Sequence, residues 1–513
     1  MQAASAVAAT FPPLALLRSR WPRLAAKFVE GDRRLSSTSS SSSTSQGMPP
    51  EGIRVFVSCL PGLEPILHRE IVSLGYDPAP PDSVAWGRIS AVGSNAGGRE
   101  MGCDGGEGRA KGRGPPPTPA GRFVGEGGVG FVASSVNDLL RCHLYLGTAG
   151  HILLRCTDQP FKARGMEELR RKVSRMAFWR RHFDLQHGDA MPFPRFNVRV
   201  SSSKSRLYHT TGIAERVEGG ILEALGCRGR DGGAGTGRGN HAGPVIQISV
   251  RLYRDYAQIS LDTSETPLHR RGYRLQTAKS PLREDLAYAL LYGAGWTHRA
   301  IGLPDKNQNH GGHLRHLLDP CCGSGTIAIE GAAMAAGLPP GRLRPPPLGG
   351  SLLADDAAWH RLLAEAEAEA RAHRHCMRAC VLGSDRDEGA IAASRGNAER
   401  AGVSDLISFE RYAVKRTPWL SSPGTAPRDI LIATNPPYGI RSSPRKLVLP
   451  LYQTIAGLFR RLGSGGNSAL ALLAHDMRLV RGMKLPNSDV VFNTKHGGIP
   501  VFATKARNGN TTQ

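Results

Sequence analysis

Ile53–Ser58, "IRVFVS", alternates apolar and polar positions and predicts a half-buried strand. Leu63, Ile66, Leu67, Ile71 and Leu74 then recur at helical spacing, and Gly75 closes that helix. Further on, "DLLRCHLYLGTAGHILLRC" predicts helix then strand, "PRFNVRVSSS" a strand, and "TGIAERVEGGILEALGC" an amphipathic helix. "VIQISVRLYRDYAQISLDTS" predicts two strands joined at Arg254–Asp255. From about Leu268 the pattern changes. Helical "SPLREDLAYALLYGAGW" leads into strand–loop–helix "HLLDPCCGSGTIAIEGAAMAAG", then helical "EAEAEARAHR", then strand–loop–helix "CVLGSDRDEGAIAASRGNAERAG". Strands "LISFERYAV" and "RDILIATNPPYG" follow, then helix "LYQTIAGLFRRLG" and closing strands in "SALALLAHD" and "DVVFNTKHGGIPVFATK". Regular alternation of strand and helix predicts a doubly wound sheet, whose ligand crevice lies beyond the carboxyl ends of its strands.

Between these periodic blocks lie segments that cannot build a core. Residues 93–128 and 228–243 are rich in Gly and Arg and read as insertions, as does "RPPPLGG" after Leu343. Residues 1–46 are rich in Arg, Ser and Ala, with Glu30 the first acid, which is the composition of an organellar transit peptide. A disordered cytosolic tail is the alternative. The expected organisation is therefore a leader at 1–46, an α/β region at 47–266 and a catalytic α/β domain at 267–513.

Charge narrows the partner. Lys and Arg number 66 against 43 acids, a net +23, which favours a polyanion such as nucleic acid. The stretch "KARGMEELRRKVSRMAFWRRHF" carries eight Lys/Arg with Phe178 and Trp179 among them, a mixture suited to phosphates and unstacked bases as well as to an ordinary basic helix. Lys172, Arg180 and Arg181 are its candidate RNA contacts. No stretch reaches the roughly 18 apolar residues of a membrane span. Nine cysteines without framework spacing argue for a reducing compartment. "HRHCMRAC" crowds His373, His375, Cys376 and Cys380 together, but no second ligand pair matches it, so it reads as a helix end entering a strand and no metal is expected.

Three strand ends carry candidate chemistry. In "LLDPCCGSGT", Asp319 precedes a loop with Gly323 and Gly325 that opens a helix. The loop lacks the phosphate-binding lysine and the full dinucleotide spacing, so a compact adenosyl ligand, S-adenosylmethionine, suits it better. Asp319 would face that ligand's amino-acid end. Asp385 in "GSDRD" can accept from both ribose hydroxyls. "TNPPYG", Thr434–Gly439, sets an amide and an aromatic ring on a backbone stiffened by two prolines, either as a turn or as a holder for a flat, amine-bearing group.

This order of "DPCCGSGT", "GSDRD" and "NPPYG" resembles the class I methyltransferases that act on exocyclic or amide nitrogens. "GLEPILHREIVSLGY", "LHRRGYR", "SPLREDLAYALL", "DPCCGSGTIAIEGAAMAAGLPPG", "SRGNAERAG" and "NPPYGIR" resemble, more closely still, the bacterial large-subunit ribosomal RNA guanine-N2 methyltransferases that carry a THUMP domain. The resemblance implies a Rossmann-like methyltransferase domain behind a ferredoxin-like and THUMP RNA-binding region. It implies that Asn435 and the Pro436 carbonyl accept the amine protons, Pro437 stiffens the loop and Tyr438 stacks on the flipped base. Asp319, Cys321, Gly323, Gly325 and Asp385 would line the cofactor site, with Glu410 standing near the place where relatives put an acid against the adenine amine. His269, Arg270, Arg271 and Arg274 of "LHRRGYR" would serve RNA. Bacterial relatives can carry a second methyltransferase module after this one; the chain ends before such a module, so the guanine-N2 activity alone is expected. The expected partner is large-subunit ribosomal RNA, in a mitochondrion or plastid, with the cytoplasm as the alternative compartment. Transfer RNA, a release-factor glutamine, a DNA adenine, or an inactive assembly role are the competing readings.

Overall fold

The computed structural model describes residues 52–78, 127–183, 195–226, 245–277, 281–296, 316–349, 351, 353–374, 380–417, 429–439, 445–462 and 468–508. The expected leader, nearly all of the first insertion and the whole of the second lie outside them.

The first half builds one sheet from β1 (Ile53–Ser58), β2 (Gly128–Ala133), β3 (His151–Arg155), β4 (Phe161–Lys162), β5 (Arg195–Ser203), β6 (Val245–Tyr253) and β7 (Tyr256–Asp262). Its order is β2-β1-β3-β7-β6-β5, with β4 paired to β7. The β6–β7 hairpin turns on Arg254 and Asp255, at φ 50° and 67°. Two consecutive left-handed residues are what a tight hairpin requires, and the Asp255 carboxylate holds the turn by accepting from the Arg206 amide. Helices α1 (Glu64–Ser73), α2 (Val136–Tyr145), α3 (Met166–Ser174), α4 (Ala177–His182) and α5 (Thr210–Ala224) accompany the sheet. Helix α2 starts from a reciprocal cap between Ser135 and Asp138.

The second half contains α6 (Glu284–Ala294), β8 (His316–Asp319), α7 (Thr326–Ala335), α8 (Asp356–Arg374), β9 (Cys380–Asp385), α9 (Glu388–Ala401), β10 (Ile407–Arg411) and β11 (Ile430–Thr434). It continues through α10 (Arg445–Leu462), β12 (Ser468–Ala474), α11 (Met477–Gly482), β13 (Asp489–His496) and β14 (Ile499–Asn508). The sheet order is β10-β9-β8-β11-β12-β14-β13, parallel except where β14 pairs antiparallel with β12 and β13. Numbered within this half the order is 3-2-1-4-5-7-6, which differs from the dinucleotide-binding order by the antiparallel strand slipped in before the edge. This is the class I methyltransferase fold. Strands β11 and β12 are buried along their whole length, as befits a sheet covered on both faces.

The halves share packing. Leu63, at the N-cap of α1, and Ile66 within it belong to the core around α6 and α7. In the other direction, Trp359, Leu362 and Ala366 of α8 pack into the core of the first sheet, with Trp359 1% exposed. The "RPPPLGG" segment, expected to be an insertion, is also docked. Leu348 is buried, the Arg344 guanidinium donates to the His143 carbonyl, and the neighbouring Gly341 amide donates to the Leu144 carbonyl. A Cβ at Gly341 would lie 2.3 Å from the His143 carbonyl oxygen, so this approach to α2 requires glycine. Residue 267 is thus not a packing boundary. Truncating Trp359 to Ala is expected to cost roughly 3–5 kcal/mol, the range for an aromatic lost from a core, read from the midpoint of denaturant unfolding.

Candidate active site

Strand order reverses at β8, which pairs with β9 on one side and β11 on the other. Helices returning to opposite faces leave a crevice there. The carboxyl ends of these strands bring Asp319, Asp385 and Thr434–Asn435 to one edge of the sheet.

Asp319 is 1% exposed. Its Oδ1 accepts from the Thr434 hydroxyl at 2.8 Å and the Cys321 amide at 3.2 Å, while no described residue donates to Oδ2. Burial pushes its pKa up to about 7, the neighbouring Asp385 adds to the rise, and the Thr434 and Cys321 donors oppose it. Asp385 is half-buried; its Oδ2 accepts from the Gly323 amide at 3.1 Å and its Oδ1 from the Asp387 amide. The loop between β8 and α7 passes through two left-handed glycines, Gly323 at φ 53° and Gly325 at φ 86°. At Gly325 a Cβ would stand 2.8 Å from the Ser394 Cβ and 3.0 Å from the Phe409 ring, so only glycine lets the loop lie flat against α9 and β10. Asn397 of α9 fixes it from the far side, donating to the carbonyls of Ser324 and Gln276.

Beyond β11 the chain runs through half-buried Asn435, buried Pro436, and half-buried Pro437 and Tyr438. The Tyr438 hydroxyl donates to Asn435 Oδ1 at 2.7 Å, which sets which end of the amide points inward. The Tyr438 ring is flanked by His475, 5.5 Å between centroids, and by His496, edge-on at 6.4 Å. Burial raises the Tyr438 phenol above its ordinary range and keeps it a donor.

The sequence-assigned cofactor and amine residues therefore converge, apart from two that differ in kind. The Cys321 side chain packs against the core under β11 and β12, so its contribution to the crevice is its amide. Glu410 sits half-buried on β10 opposite Ser384, one pair short of Asp385, and accepts from the Ser408 hydroxyl.

The candidate RNA residues separate. Arg180, Arg181 and Arg270 are exposed. Arg180 also donates to the Ala224 carbonyl, and Lys172 is half-buried between Glu168 and the Lys162 carbonyl. Arg271 is a correction. It is 1% exposed, donates to the Leu268 and Gly147 carbonyls and lies 3.6 Å from Glu330, so it joins the two halves from inside and is closed to RNA. Arg274 is bound to Glu284 and the Leu282 carbonyl, and His269 meets Arg283; both serve the entry to α6. Trp179 is likewise no base platform, being fully buried with its indole donating to the Val173 carbonyl. His375 and Cys376 lie outside the described residues, as do the side chains of His373 and Cys380.

Thr434, Asn397, His475 and His496 escaped the sequence reading. Thr434 stood inside the quoted motif, and His475 follows a strand end, a position where site residues gather. Asn397 stood inside the quoted "SRGNAERAG" without a role assigned to it, and His496 carries no local signal, since its importance comes from what the fold brings beside it.

Residues 271–501 match the family described as RMKL-like, methyltransferase domain. The chain is 33% identical over 319 residues to the ribosomal RNA large subunit methyltransferase K/L of Methylococcus capsulatus, covering 61% of this chain and 39% of that protein. It is 30% identical over 334 residues to YpsC of Bacillus subtilis (strain 168), whose name marks it as a candidate RNA methyltransferase, covering 63% of this chain and 74% of that one. The chain spans less than half the length of the K/L relatives it matches. Among solved structures, SMU.472 complexed with SAH superposes with a TM-score of 0.67 at 20% identity, over 90% of this chain and all of that one.

Asp319 makes stability depend on pH. Its folded pKa of about 7 exceeds the ordinary carboxylate value of 3.8, so between those values the folded chain holds a proton that the unfolded chain releases. Its contribution to stability is full below pH 4 and is lost as pH rises through about 7. Asp319→Asn, which cannot ionise, should gain stability relative to the parent between pH 5 and pH 8, by up to about 4 kcal/mol, in paired denaturant titrations of the ligand-free protein.

Proposed function

Because the chain belongs to the RMKL-like methyltransferase family, we propose that it transfers a methyl group from S-adenosylmethionine to the exocyclic N2 of a guanosine in large-subunit ribosomal RNA. One observation carries the reading: three adjacent strand tips bring Asp319, Asp385 and the Asn435–Tyr438 loop to one edge of the sheet.

The residues present suit the cofactor. Asp319 keeps Oδ2 open in a buried setting that penalises its charge, and an ammonium brought against it would restore the carboxylate. Asp385 stands at the next strand tip, suited to a vicinal diol. The β8–α7 loop offers backbone at close range without the lysine that a phosphate would call for. S-adenosylmethionine, when bound, supplies an electrophilic methyl group on a sulfonium.

The chain's own work is to present a poor nucleophile correctly. An aryl amine delocalises its lone pair into the base. Two fixed acceptors, Asn435 Oδ1 and the Pro436 carbonyl, can take its two N–H bonds and turn the lone pair out of conjugation. Pro436 and Pro437 hold both acceptors against relaxation, and Tyr438 offers a face to a base extruded from its stack. Acceleration then comes from alignment and preorganised dipoles, and no strong general base is needed because the methylated ammonium product is acidic.

The exposed cations at Arg180, Arg181 and Arg270 support an RNA partner. K/L relatives favour the ribosomal substrate over transfer RNA, and the Arg- and Ser-rich start of the chain supports an organellar one. Among the described residues no helix is long and apolar enough to cross a membrane.

The purified protein is expected to methylate large-subunit RNA, with N2-methylguanosine found by nucleoside mass spectrometry. Asn435→Ala should lower kcat about 100-fold or more. Tyr438→Ala should weaken substrate use by about 1–3 kcal/mol. Product appearing in transfer RNA instead would move the substrate, and no product in either RNA would overturn the reading.

A further inference from the structure

The β13–β14 hairpin closes on Gly497 and Gly498, at φ 56° and 82°, a two-residue turn of left-handed positions. This tight turn sets His496, the last residue of β13, beside the Asn435–Tyr438 loop. Its ring stands at 88° to the Tyr438 ring with centroids 6.4 Å apart. Nε2 lies 3.1 Å from the Pro281 carbonyl oxygen. A carbonyl only accepts, so Nε2 carries the hydrogen, and in the neutral ring Nδ1 is left with a lone pair. No described residue donates to Nδ1. Burial, with Arg283 and Arg274 nearby, holds the imidazole below its ordinary pKa and so favours the neutral form. An acceptor whose tautomer is fixed by the Pro281 carbonyl therefore stands next to the Tyr438 ring, the platform on which the target base would rest.

The chemistry of the bases says what such an acceptor selects. Adenine, cytosine and guanine all carry an exocyclic amine. Beside the amine-bearing carbon, adenine offers N1 and cytosine N3, both bare acceptors. Guanine alone offers an N–H donor there, at N1. Asn435 and Pro436 can hold any of the three amines, so the amine clamp does not itself choose a base.

We propose that His496 is a specificity-determining residue whose Nδ1 accepts the N1–H of the target guanine and turns away bases with a lone pair at that position. The proposal rests on the guanine-N2 reading above and deepens it.

The test follows mapping of the target nucleotide. Short synthetic RNAs carry either guanosine or 2,6-diaminopurine riboside at that position; both present the same 2-amine, but the second has a bare N1. The parent protein is expected to prefer guanosine in kcat/KM by roughly 100-fold or more. His496→Phe should cut that preference below about 10-fold, chiefly by losing rate on guanosine. His496→Val is the second variant, should the larger ring disturb the hairpin, and calorimetric binding of S-adenosylmethionine reports whether each variant keeps its pocket. A general structural role would lower both substrates together and leave the ratio intact. A folded variant that retains the full preference overturns the proposal, and so does a parent protein that methylates both RNAs equally. A parent that methylates no guanosine overturns the underlying reading instead.

Discussion

The hydrogen bond from Thr434 to Asp319 ties two strand tips together where the second sheet reverses. Asp319 is a carboxylate almost wholly removed from water, a placement that costs free energy unless donors meet it. Thr434 supplies one such donor and is itself the last residue of β11, so the next residue is Asn435. A single contact therefore steadies the acid proposed for the cofactor and fixes the starting point of the loop proposed to hold the amine. The distance between the two ends of the proposed reaction becomes a property of neighbouring parallel strands, which are among the least deformable parts of a fold.

From that anchor the loop is over-determined. Pro436 and Pro437 remove backbone freedom, Tyr438 donates back to Asn435, and His475 and His496 flank the Tyr438 ring. The constraints come from three places: the loop that follows β11, the residue after β12 and the tip of β13. The antiparallel β14, which distinguishes this sheet from the dinucleotide-binding order, pairs with β13 along its length and so holds that last tip in the hairpin. The extra strand thus contributes to the site although it carries none of the chemistry assigned from the sequence.

Much of this was legible in the chain. Ile53–Ser58 is a strand as expected, although Val55, Phe56 and Val57 are buried in succession and not on one face alone, and the Arg254–Asp255 turn came from its place between two strand patterns. The residues of "DPCCGSGT", "GSDRD" and "NPPYG" were legible because their chemistry is local to strand ends. Burial was not. Arg271 sits in "LHRRGYR" beside Arg270, and nothing in the sequence says that one is sealed against Glu330 and the other exposed. Trp179 among arginines looked like an aromatic between phosphates, yet helix periodicity over six residues is too short to reveal which side faces the core. Helix α8, polar over much of its length, gave no hint that Trp359 and Leu362 reach the first sheet.

Those misread residues share a cause, and it bears on how an RNA partner would be handled. Arg271 donates to Gly147 from the catalytic half, while Glu70 accepts from the amides of Gly147 and Thr148 from α1. Burial pushes Glu70 up to about 7, and Arg271 with the Thr148 and Gly147 donors resists that rise. The turn after α2 is thereby gripped by an acid from one side and a cation from the other. With α8 packed on the first sheet and α1 packed on the second, hinge motion between the halves would have to break buried charge contacts and open two apolar cores. The exposed Arg180 and Arg181 of α4 belong to the half so joined, and under the proposed function an RNA held there would reach the Asn435–Tyr438 loop across these buried contacts.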